Sequence, residues 1–196
     1  MVHYKIIVDG YAFPDGDGWK VSPNVVLLEV NGRRILVDPG ANQDLLEQAL
    51  HQEQLQPGDI DLLYFTHTHL DHILNLRMFP RHPMMEFYFL YEKDKITKIR
   101  GSYIPGTTIK MIPTPGHCVE HTSLLFDSEN GRTCIAGDLF WWINDAPVPR
   151  QPEVMIELKD TFAYDMDVLK ESRKKILDQT DYLIPGHGMP VNIDKI

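Results

Sequence analysis

The sequence predicts an α/β fold in which two sheets carry helices on their outer faces. Strand and helix patterns alternate along the chain, which favours such a layered arrangement. The length of 196 residues fits one domain, and no segment repeats or has low complexity. We therefore predict a single domain over residues 1–196.

The first third of the chain predicts strands, a hairpin and one helix. The segment 3–10 has a β-branched centre, and Asn31-Gly32 separates two apolar runs, as in a two-residue hairpin turn. Apolar residues at helical spacing over 45–50 then indicate a helix, and Pro57 follows as a stop signal.

The rest of the chain alternates strands with two helices. A buried strand is predicted by "DLLYFT", a short helix by "HILNLRMF" and a further strand by "MEFYFLY". A strand that ends in a turn is predicted by "TIKMIPTPG", and a hairpin by "TSLLF" with "TCIAG". Near the C-terminus, an amphipathic helix is indicated by "DMDVLKESRKKILDQT", and the last strand by "YLIPG".

Charge and composition exclude some classes of protein. The formal net charge is −9, whereas a nucleic-acid binder needs clustered Lys and Arg, so we expect a small-molecule substrate rather than nucleic acid. No apolar run approaches the ~20 residues that a membrane helix needs. The N-terminus also lacks the apolar core of a signal peptide. We therefore expect a cytoplasmic protein with reduced cysteines and no membrane partner.

Four apolar strands end in turns that carry histidine or aspartate. The seven side chains are His67, His69, Asp71, His72, His117, Asp138 and His187. Strand ends in a packed sheet are rigid platforms for ligands. Two residues apart in extended chain, His67 and His69 point the same way, so one ion could take both. Asp71 and His72 fall where a helix begins and turn toward a neighbouring position.

This donor set predicts a dinuclear metal site. Five imidazoles and two carboxylates are too many for one tetrahedral ion but suit two. Mixed nitrogen and oxygen ligation fits zinc, so we expect two Zn²⁺ per chain, with Fe or Mn as alternatives. A lone histidine is more often a surface or core residue, but the H-x-H-x-D-H spacing with three further strand ends makes chance clustering a poor explanation.

The motifs "THTHLDH", "PTPGH", "AGD" and "PGHG", in this order, resemble those of the metallo-β-lactamase superfamily. The likeness covers nearly the whole chain, and it implies a four-layer αβ/βα sandwich with the site at one edge. The implied ligands are His67, His69 and His117 for the first ion, Asp71, His72 and His187 for the second, and Asp138 for both.

Within that superfamily, the chain is similar to small-chain members and to the catalytic domain of glyoxalase II. This likeness is carried by "DHILNLRMFP", "AGDLF", "SRKKIL" and "YLIPGHG". Position 138 is Asp rather than the Cys of many β-lactamases, so β-lactam hydrolysis is not expected as the main activity. Only 48 residues separate Asp138 from His187, too few for the inserted domain of the β-CASP nucleases.

Two further residues are expected to support the ligands. The segment "ILVDPG" resembles a family element whose aspartate holds the metal loop, and here that residue is Asp38. His121 resembles the second histidine of a glyoxalase II pattern, and we interpret it as a supporting or structural residue.

Aromatic residues in two loops are candidates for a substrate wall. They are Tyr11, Phe13, Trp19, Trp141 and Trp142. The segment 11–23 is predicted as a loop that overhangs the metals. Adjacent residues of extended chain point to opposite sides, so the two neighbouring tryptophans are seldom buried in one core. A substrate wall or a homodimer contact would explain them; packing of the aromatic side chains onto the sheet is the alternative.

The expected function is hydrolysis of an ester, thioester or lactone by a dinuclear metal site. Two ions about 3.5–4 Å apart can share a hydroxide and lower its pKa toward neutrality, and this hydroxide would attack the carbonyl carbon. Asp71, besides binding metal, would orient the hydroxide or take its proton.

Two alternatives stay open at this point. One is a phosphodiesterase or ribonuclease of the same fold, because one similar animal protein is associated with cleavage of histone pre-messenger RNA. The other is an oxidoreductase similar to the persulfide dioxygenases, which share the fold and hold one iron with two His and one Asp. The metal content discriminates between one iron and two zinc ions.

Overall fold

The computed structural model describes residues 1–144 and 146–194. In chain order its strands are β1 (His3–Val8), β2 (Tyr11–Asp15), β3 (Gly18–Ser22), β4 (Val25–Val30), β5 (Arg33–Val37), β6 (Leu62–Phe65), β7 (Met84–Glu86), β8 (Phe89–Glu92), β9 (Lys95–Lys98), β10 (Lys110–Pro113), β11 (Thr122–Ser128), β12 (Gly131–Gly137), β13 (Tyr182–Pro185) and β14 (Val191–Asn192). The α-helices are α1 (Gln43–Gln52), α2 (Leu70–Ile73), α3 (Pro152–Ile156) and α4 (Met166–Leu177). Two 3₁₀ turns cover Pro57–Asp59 and Leu74–Met78.

The strands form two large sheets and a separate hairpin. The first sheet has the order β1-β4-β5-β6-β7-β8-β9, and the second has the order β10-β11-β12-β13-β14. Most neighbours are antiparallel, but β5-β6-β7 and β12-β13 run parallel. Strands β2 and β3 pair only with each other among the described residues.

Three hydrophobic clusters define four layers. The central cluster joins the facing sides of the two sheets, for example Val26 and Leu28 of β4 with Ile135 of β12. A second cluster packs α1 and the 3₁₀ turn after α2 onto the outer face of the first sheet. The third packs α3 and α4 onto the outer face of the second sheet. This αβ/βα order confirms the predicted fold class.

Strand alternation explains how one strand serves two of these clusters. Along β4, Val26 and Leu28 face the second sheet, whereas Val25 and Leu27 face α1. Successive side chains of a strand point to opposite faces, so both faces of this central strand are apolar and buried. The near-continuous apolar run "VVLLEV" follows from this burial on both sides.

Three predicted elements differ in detail from the structure. The segment 11–23, predicted as a loop, is a β-hairpin. The single strand predicted for "MEFYFLY" is two strands, because the chain turns at Phe87, which has a positive φ of 46°. The helix predicted for "HILNLRMF" is a short α-helix followed by a 3₁₀ turn.

The structure places all four motif-bearing strand ends toward one site. β6, β10, β12 and β13 each run into a turn that carries one or more of the seven predicted ligands. None of the helices in residues 1–144 and 146–194 combines the length and the apolar character that crossing a bilayer requires.

Candidate metal centre

Asp38 organises the histidine loop that follows β6. It comes directly after β5, the parallel neighbour of β6, and has a φ of 49°. Its Oδ1 accepts from the backbone N–H of Thr66 (2.8 Å), and its Oδ2 accepts from the Thr66 hydroxyl (2.7 Å) and from Nδ1–H of His72 (3.0 Å). One buried carboxylate therefore holds both the start of the loop and the turn of helix beyond it.

His67 and His69 extend from the end of β6, and their ring centroids lie 4.5 Å apart. Nδ1 of His67 is 3.1 Å from the hydroxyl of Thr66, whose hydrogen goes to Asp38. The hydroxyl must then accept from Nδ1–H of His67, which leaves Nε2 of His67 as the ring nitrogen that faces the site.

His117 follows β10 in a turn that packs against α4. Gly116 has a φ of 131°, and a Cβ at this position would collide with the backbone of Leu169, so the turn requires glycine. Nδ1–H of His117 donates to Oδ2 of Asp160 (2.7 Å), which is buried in the segment before α4. Burial by itself raises the pKa of Asp160, but the hydrogen bond from His117 outweighs it, so that pKa lies below its usual range.

The parallel strands β12 and β13 deliver Asp138 and His187. Gly186 directly precedes His187, and a Cβ at this position would collide with the carboxylate of Asp138. Nδ1–H of His187 is shared between the backbone carbonyls of Ser22 (2.9 Å) and Tyr11 (3.2 Å) at the base of the β2-β3 hairpin. Nε2 of His187 is thereby turned toward Asp138.

The seven side chains form two groups around Asp138. One group contains His67, His69, His117 and Asp138, the other contains Asp71, His72 and His187, and within each group the ligand atoms lie within 4.8 Å of one another. Oδ2 of Asp138 lies 3.8 Å from Nε2 of His67 and 3.5 Å from Nε2 of His117. Its Oδ1 lies 3.3 Å from Nε2 of His72 and 3.4 Å from Nε2 of His187. Each oxygen of Asp138 thus faces a different group.

The unpaired atoms of the site fit a divalent metal. Nε2 of His67, Nε2 of His72 and Oδ1 of Asp138 are buried and make no hydrogen bond, which is costly for a polar atom without a partner. The other ring nitrogen of each of these two histidines is already paired. Metal-binding histidines typically donate their second N–H in this way, so these side chains could hold an ion.

The surroundings of the metal-free site shift the pKa of His67 and that of His72 in opposite directions. Burial lowers the pKa of His67 well below its ordinary value, and the nearby His72 lowers it further. Burial also disfavours the charged form of His72, but Asp138 and Asp38 outweigh it and raise that pKa well above its ordinary value. A metal ion would displace the proton of His72, since a ligand must be deprotonated.

An apolar cavity of about 260 Å³ lies above the two groups. Besides ligand side chains, it is lined by Ala12, Trp19, Val21, Trp141 and Phe162. Trp19 and Trp141, two of the residues predicted for a substrate wall, thus line this cavity. Phe162 was missed, because the segment before α4 carries no motif.

Tyr11, Phe13 and Trp142 do not line this cavity, which corrects their prediction as wall residues. In the hairpin, Ala12 pairs with Val21, whereas Tyr11 and Phe13 alternate with Ala12 and point to the other face. Trp142 is buried in the cluster beneath the second sheet, on the opposite side of the chain from Trp141.

His121 packs behind the first group, with its ring centroid 5.1 Å from that of His67. Its Nδ1 lies 2.8 Å from the hydroxyl of Thr114, which in turn contacts Ser123. Ser123 donates to the carbonyl of Ala136, so the chain of bonds assigns the proton to Nδ1 of His121. Burial lowers its pKa to about 3, with a smaller contribution from His117, and the ring stays neutral. His121 is not a member of either ligand group.

Arg173 of α4 ties the turn after β12 to the end of α3 and the segment that follows it. It is 1% exposed, and its Nε donates to the carbonyl of Leu139 (2.8 Å), the residue after Asp138. Its Nη1 donates to the carbonyls of Ile156 (3.2 Å) and Leu158, just before Asp160. One buried guanidinium therefore links the strand end that carries Asp138 to the segment that carries Asp160.

The fold and the donor set define a class of protein, an αβ/βα sandwich with a histidine and aspartate site for divalent metal at one edge. A sequence profile of the metallo-β-lactamase superfamily matches residues 18–88. Metallo-β-lactamase domain-containing protein 1 of Rattus norvegicus is 30% identical over 196 residues, which cover 92% of this chain and 70% of that protein. The Xenopus laevis protein of the same name is 28% identical and aligns over 97% of this chain and 81% of its own. The chain belongs to the metallo-β-lactamase superfamily, as its motifs predicted.

Other relatives extend this likeness to named hydrolases. Hydroxyacylglutathione hydrolase (glyoxalase II) of Klebsiella pneumoniae is 32% identical over 117 residues, 56% of this chain and 43% of that enzyme. A solved Thermotoga maritima protein assigned to the metallo-β-lactamases superposes with a TM-score of 0.72 at 25% identity, over 97% of this chain and 99% of its own.

Two more distant structures share the fold, and the description of each refers to two metal ions. AidC, a dizinc quorum-quenching lactonase, has a TM-score of 0.60 at 18% identity and covers 87% of this chain and 74% of its own. A protein in a di-iron-bound form has a TM-score of 0.64 at 18% identity, over 94% of both chains.

Proposed function

We propose that this chain is a hydrolase with two zinc ions that cleaves an ester, thioester or lactone of small size. The observation that carries the proposal is the division of Asp138, whose two carboxylate oxygens face two separate groups of ligands. A carboxylate so placed can bridge two ions, and a single ion would leave one group unused. The named lactonase and hydroxyacylglutathione hydrolase among the relatives support the reaction class.

His67, His69 and His117 would hold one ion, and Asp71, His72 and His187 the other, with Asp138 between them. When bound, two such ions lower the pKa of a shared water toward neutrality and polarise the scissile carbonyl. Asp71 lines the cavity, and its Oδ2 lies 3.2 Å from Nε2 of His187. Its carboxylate would orient the attacking water and receive its proton, which it would then pass to the leaving group.

The cavity walls give the site one apolar side. Trp19, Trp141 and Phe162 cover the ligand groups from one side.

The experiment that tests this function joins metal analysis to a substrate panel. Protein purified without chelator is analysed for zinc, iron and manganese and then assayed on lactone, thioester, ester and phosphodiester substrates. We expect two zinc ions per chain and hydrolysis of the carbonyl compounds that chelation abolishes and zinc restores. One iron per chain would favour the persulfide dioxygenase alternative, and cleavage of the phosphodiester alone would favour the nuclease.

Variants of one ligand locate the activity at this site. Asp71→Asn should lower kcat by about 10²–10⁴-fold, the usual contribution of a positioned acid or base. His51→Ala is a suitable control, because His51 is an exposed histidine on α1 outside the site. Undiminished turnover by Asp71→Asn would disprove the assigned role.

Cytoplasmic residence and a homodimer stay predictions.

A further inference from the structure

Three aromatic rings form one continuous wall of the cavity above the ligands. The ring centroids of Trp19 and Trp141 lie 6.3 Å apart at an angle of 87°. Those of Trp141 and Phe162 lie 5.9 Å apart at 50°. Trp19 is 43% exposed and Phe162 is 57% exposed, so two large apolar side chains face solvent at the mouth of the site. Exposed aromatic surface at a concave site is typical of a place where a ligand binds.

The three rings come from three segments, of which two are hydrogen-bonded to each other and the third is held at Asp160. The hairpin is joined to the segment after β12 by a pair of bonds, from Ala12 N–H to Oδ1 of Asn144 (2.8 Å) and from Asn144 N–H to the carbonyl of Ala12 (3.0 Å). The backbone N–H of Phe162 donates to Oδ1 of Asp160 (2.9 Å), the same carboxylate that holds His117. The wall is therefore positioned before a ligand arrives, which limits the entropy lost on binding.

The wall carries no cation among the described residues. Every lining residue other than the ligand histidines and aspartates is apolar, and the lining includes neither lysine nor arginine. A carboxylate or phosphate in this part of the cavity would lose its hydration without a partner in return. Sites that recognise such groups usually provide Arg or Lys.

We infer that the slot between Trp19, Trp141 and Phe162 takes a short, uncharged, apolar acyl arm of the substrate and selects against an arm that ends in an anion. The inference rests on the proposed hydrolase function and narrows its substrate class. A volume of about 260 Å³ lies just below the ~300–1,000 Å³ of pockets for drug-sized ligands, which is why we specify a short arm.

Matched substrates test the charge selection. The probes are the methyl ester and the S-methyl thioester of hexanoic acid, compared with the same derivatives of 5-sulfopentanoic acid. In the second pair, a sulfonate replaces the terminal methyl group, and the small leaving group leaves the acyl chain as the only arm. We expect kcat/KM to be at least about tenfold higher for the hexanoyl compound. Equal values would overturn the inference.

Variants of the wall test the position of the arm. Trp19→Ala and Phe162→Ala should each raise KM for the hexanoyl substrate about tenfold and leave its kcat within about twofold, because they remove ring contacts without touching the ligands. Phe13→Ala is the matched control, since Phe13 lies on the same hairpin, is 38% exposed and faces away from the cavity. Phe162→Lys should reverse the preference toward the sulfonate. Unchanged KM in both alanine variants would contradict the assignment.

Binding of unreactive analogues separates this inference from the proposed function. Ligand-detected NMR compares hexanamide with 5-sulfopentanamide on the zinc-loaded protein and on the variants. Preference for hexanamide that Trp19→Ala abolishes and Phe13→Ala retains supports the slot, even if every ester, thioester and lactone fails to react. That combination would reject the hydrolase alone. Hydrolysis without any preference for the uncharged arm would reject the slot alone.

Discussion

The two sheets contribute to the metal centre in different ways. The first sheet provides four of the seven side chains within six consecutive positions, 67–72, and one carboxylate, Asp38, supports that loop. The second sheet provides three side chains from three separate strand ends, and each needs its own support. These supports are Asp160 behind His117, Gly186 beside Asp138 and the hairpin carbonyls behind His187. A compact motif can rely on one neighbour, whereas a dispersed set depends on packing across the whole half of the molecule.

The largest expected effect comes from removing a support of the second half of the molecule, which consists of the second sheet with α3 and α4. Arg173→Met removes the donor for three carbonyls near Asp138 and Asp160, and hydrogen bonds from a charged group are worth ~1.5–3 kcal/mol each but are not additive. We expect the free energy of unfolding in urea to fall by about 3 kcal/mol. Lys170→Met, on the exposed side of α4, should cost less than ~0.5 kcal/mol. Equal losses of unfolding free energy in the Arg173→Met and Lys170→Met variants would show that Arg173 does not stabilise the second half.

A smaller effect should separate the supports of the first sheet from those of the second. Asp38→Asn should weaken metal binding by both ligand groups, because Asp38 holds His72 directly and His67 through Thr66. Asp160→Asn should weaken binding mainly by the group of His117, and each effect should be ~10–100-fold. Competition with a chromophoric chelator measures both affinities. Asp127→Asn, in an exposed pair with Arg132, is the control. If Asp160→Asn weakened both ions as much as Asp38→Asn does, the two halves would not be independent supports.

The pH dependence of the metal-free protein should distinguish a ligand from a supporting residue. Burial opposes the charged form of His187, but Asp138 and Asp71 outweigh it and raise its pKa to about 9. The folded state then keeps a proton that the unfolded state loses, so stability falls as pH rises from 6.5 to 9. Burial lowers the pKa of His121 to about 3, so the unfolded state alone gains a proton below pH 6.5 and stability falls as pH drops.

Chemical denaturation of chelator-treated protein from pH 5 to 9 checks both slopes. Each group contributes up to ~1.4 kcal/mol per pH unit within its window. His187→Gln should reduce the alkaline slope, to which His72 also contributes, and His121→Asn should reduce the acid slope, to which His67 and His69 also contribute. Bound metal should remove the alkaline slope, because the ligands must then be deprotonated. An alkaline slope that survives both His187→Gln and metal loading would contradict the assignment.

The smallest effects are expected for exposed ion pairs, one beside each sheet. Lys5 contacts Glu53 beside the first sheet, and Lys170 contacts Glu157 beside the second. Glu53→Gln and Glu157→Gln should each change the free energy of unfolding by less than ~0.5 kcal/mol, because solvent screens such pairs. A larger loss in only one variant would mean that surface charge, besides the buried supports, distinguishes the two halves.

The same difference between the halves decides what the sequence could predict. Apolar periodicity predicted an α/β fold with two sheets, and the resemblance of the motifs to a known superfamily implied its four-layer order. Asn31-Gly32, with positive φ at both residues, makes the predicted hairpin turn between β4 and β5. The metal loop is a local pattern, so its spacing was readable directly. Asp160 was missed, because a lone aspartate before a helix looks like any capping or surface residue, and only the packing of α4 brings it to His117.

The errors in the aromatic wall have one physical cause. In a strand, a shift of one residue exchanges the two faces, so a pattern without a known register cannot say which face covers the site. Trp19 and Phe13 lie on the same hairpin but face opposite ways. The adjacent Trp141 and Trp142 also face opposite ways. The sequence indicated that the two tryptophans diverge but not which one meets the cavity.

The base and the tip of the β2-β3 hairpin are under different constraints. At the base, Tyr11 pairs with Ser22, and the carbonyls of these two residues hold His187. The tip, residues 13–20, makes its ladder only with itself and carries Trp19. A graft that exchanges the tip can therefore redesign the substrate slot, whereas a change of length at the base shifts a ligand. The replaceable part of the hairpin is therefore its tip, whereas the Tyr11–Ser22 pair at the base has to be kept.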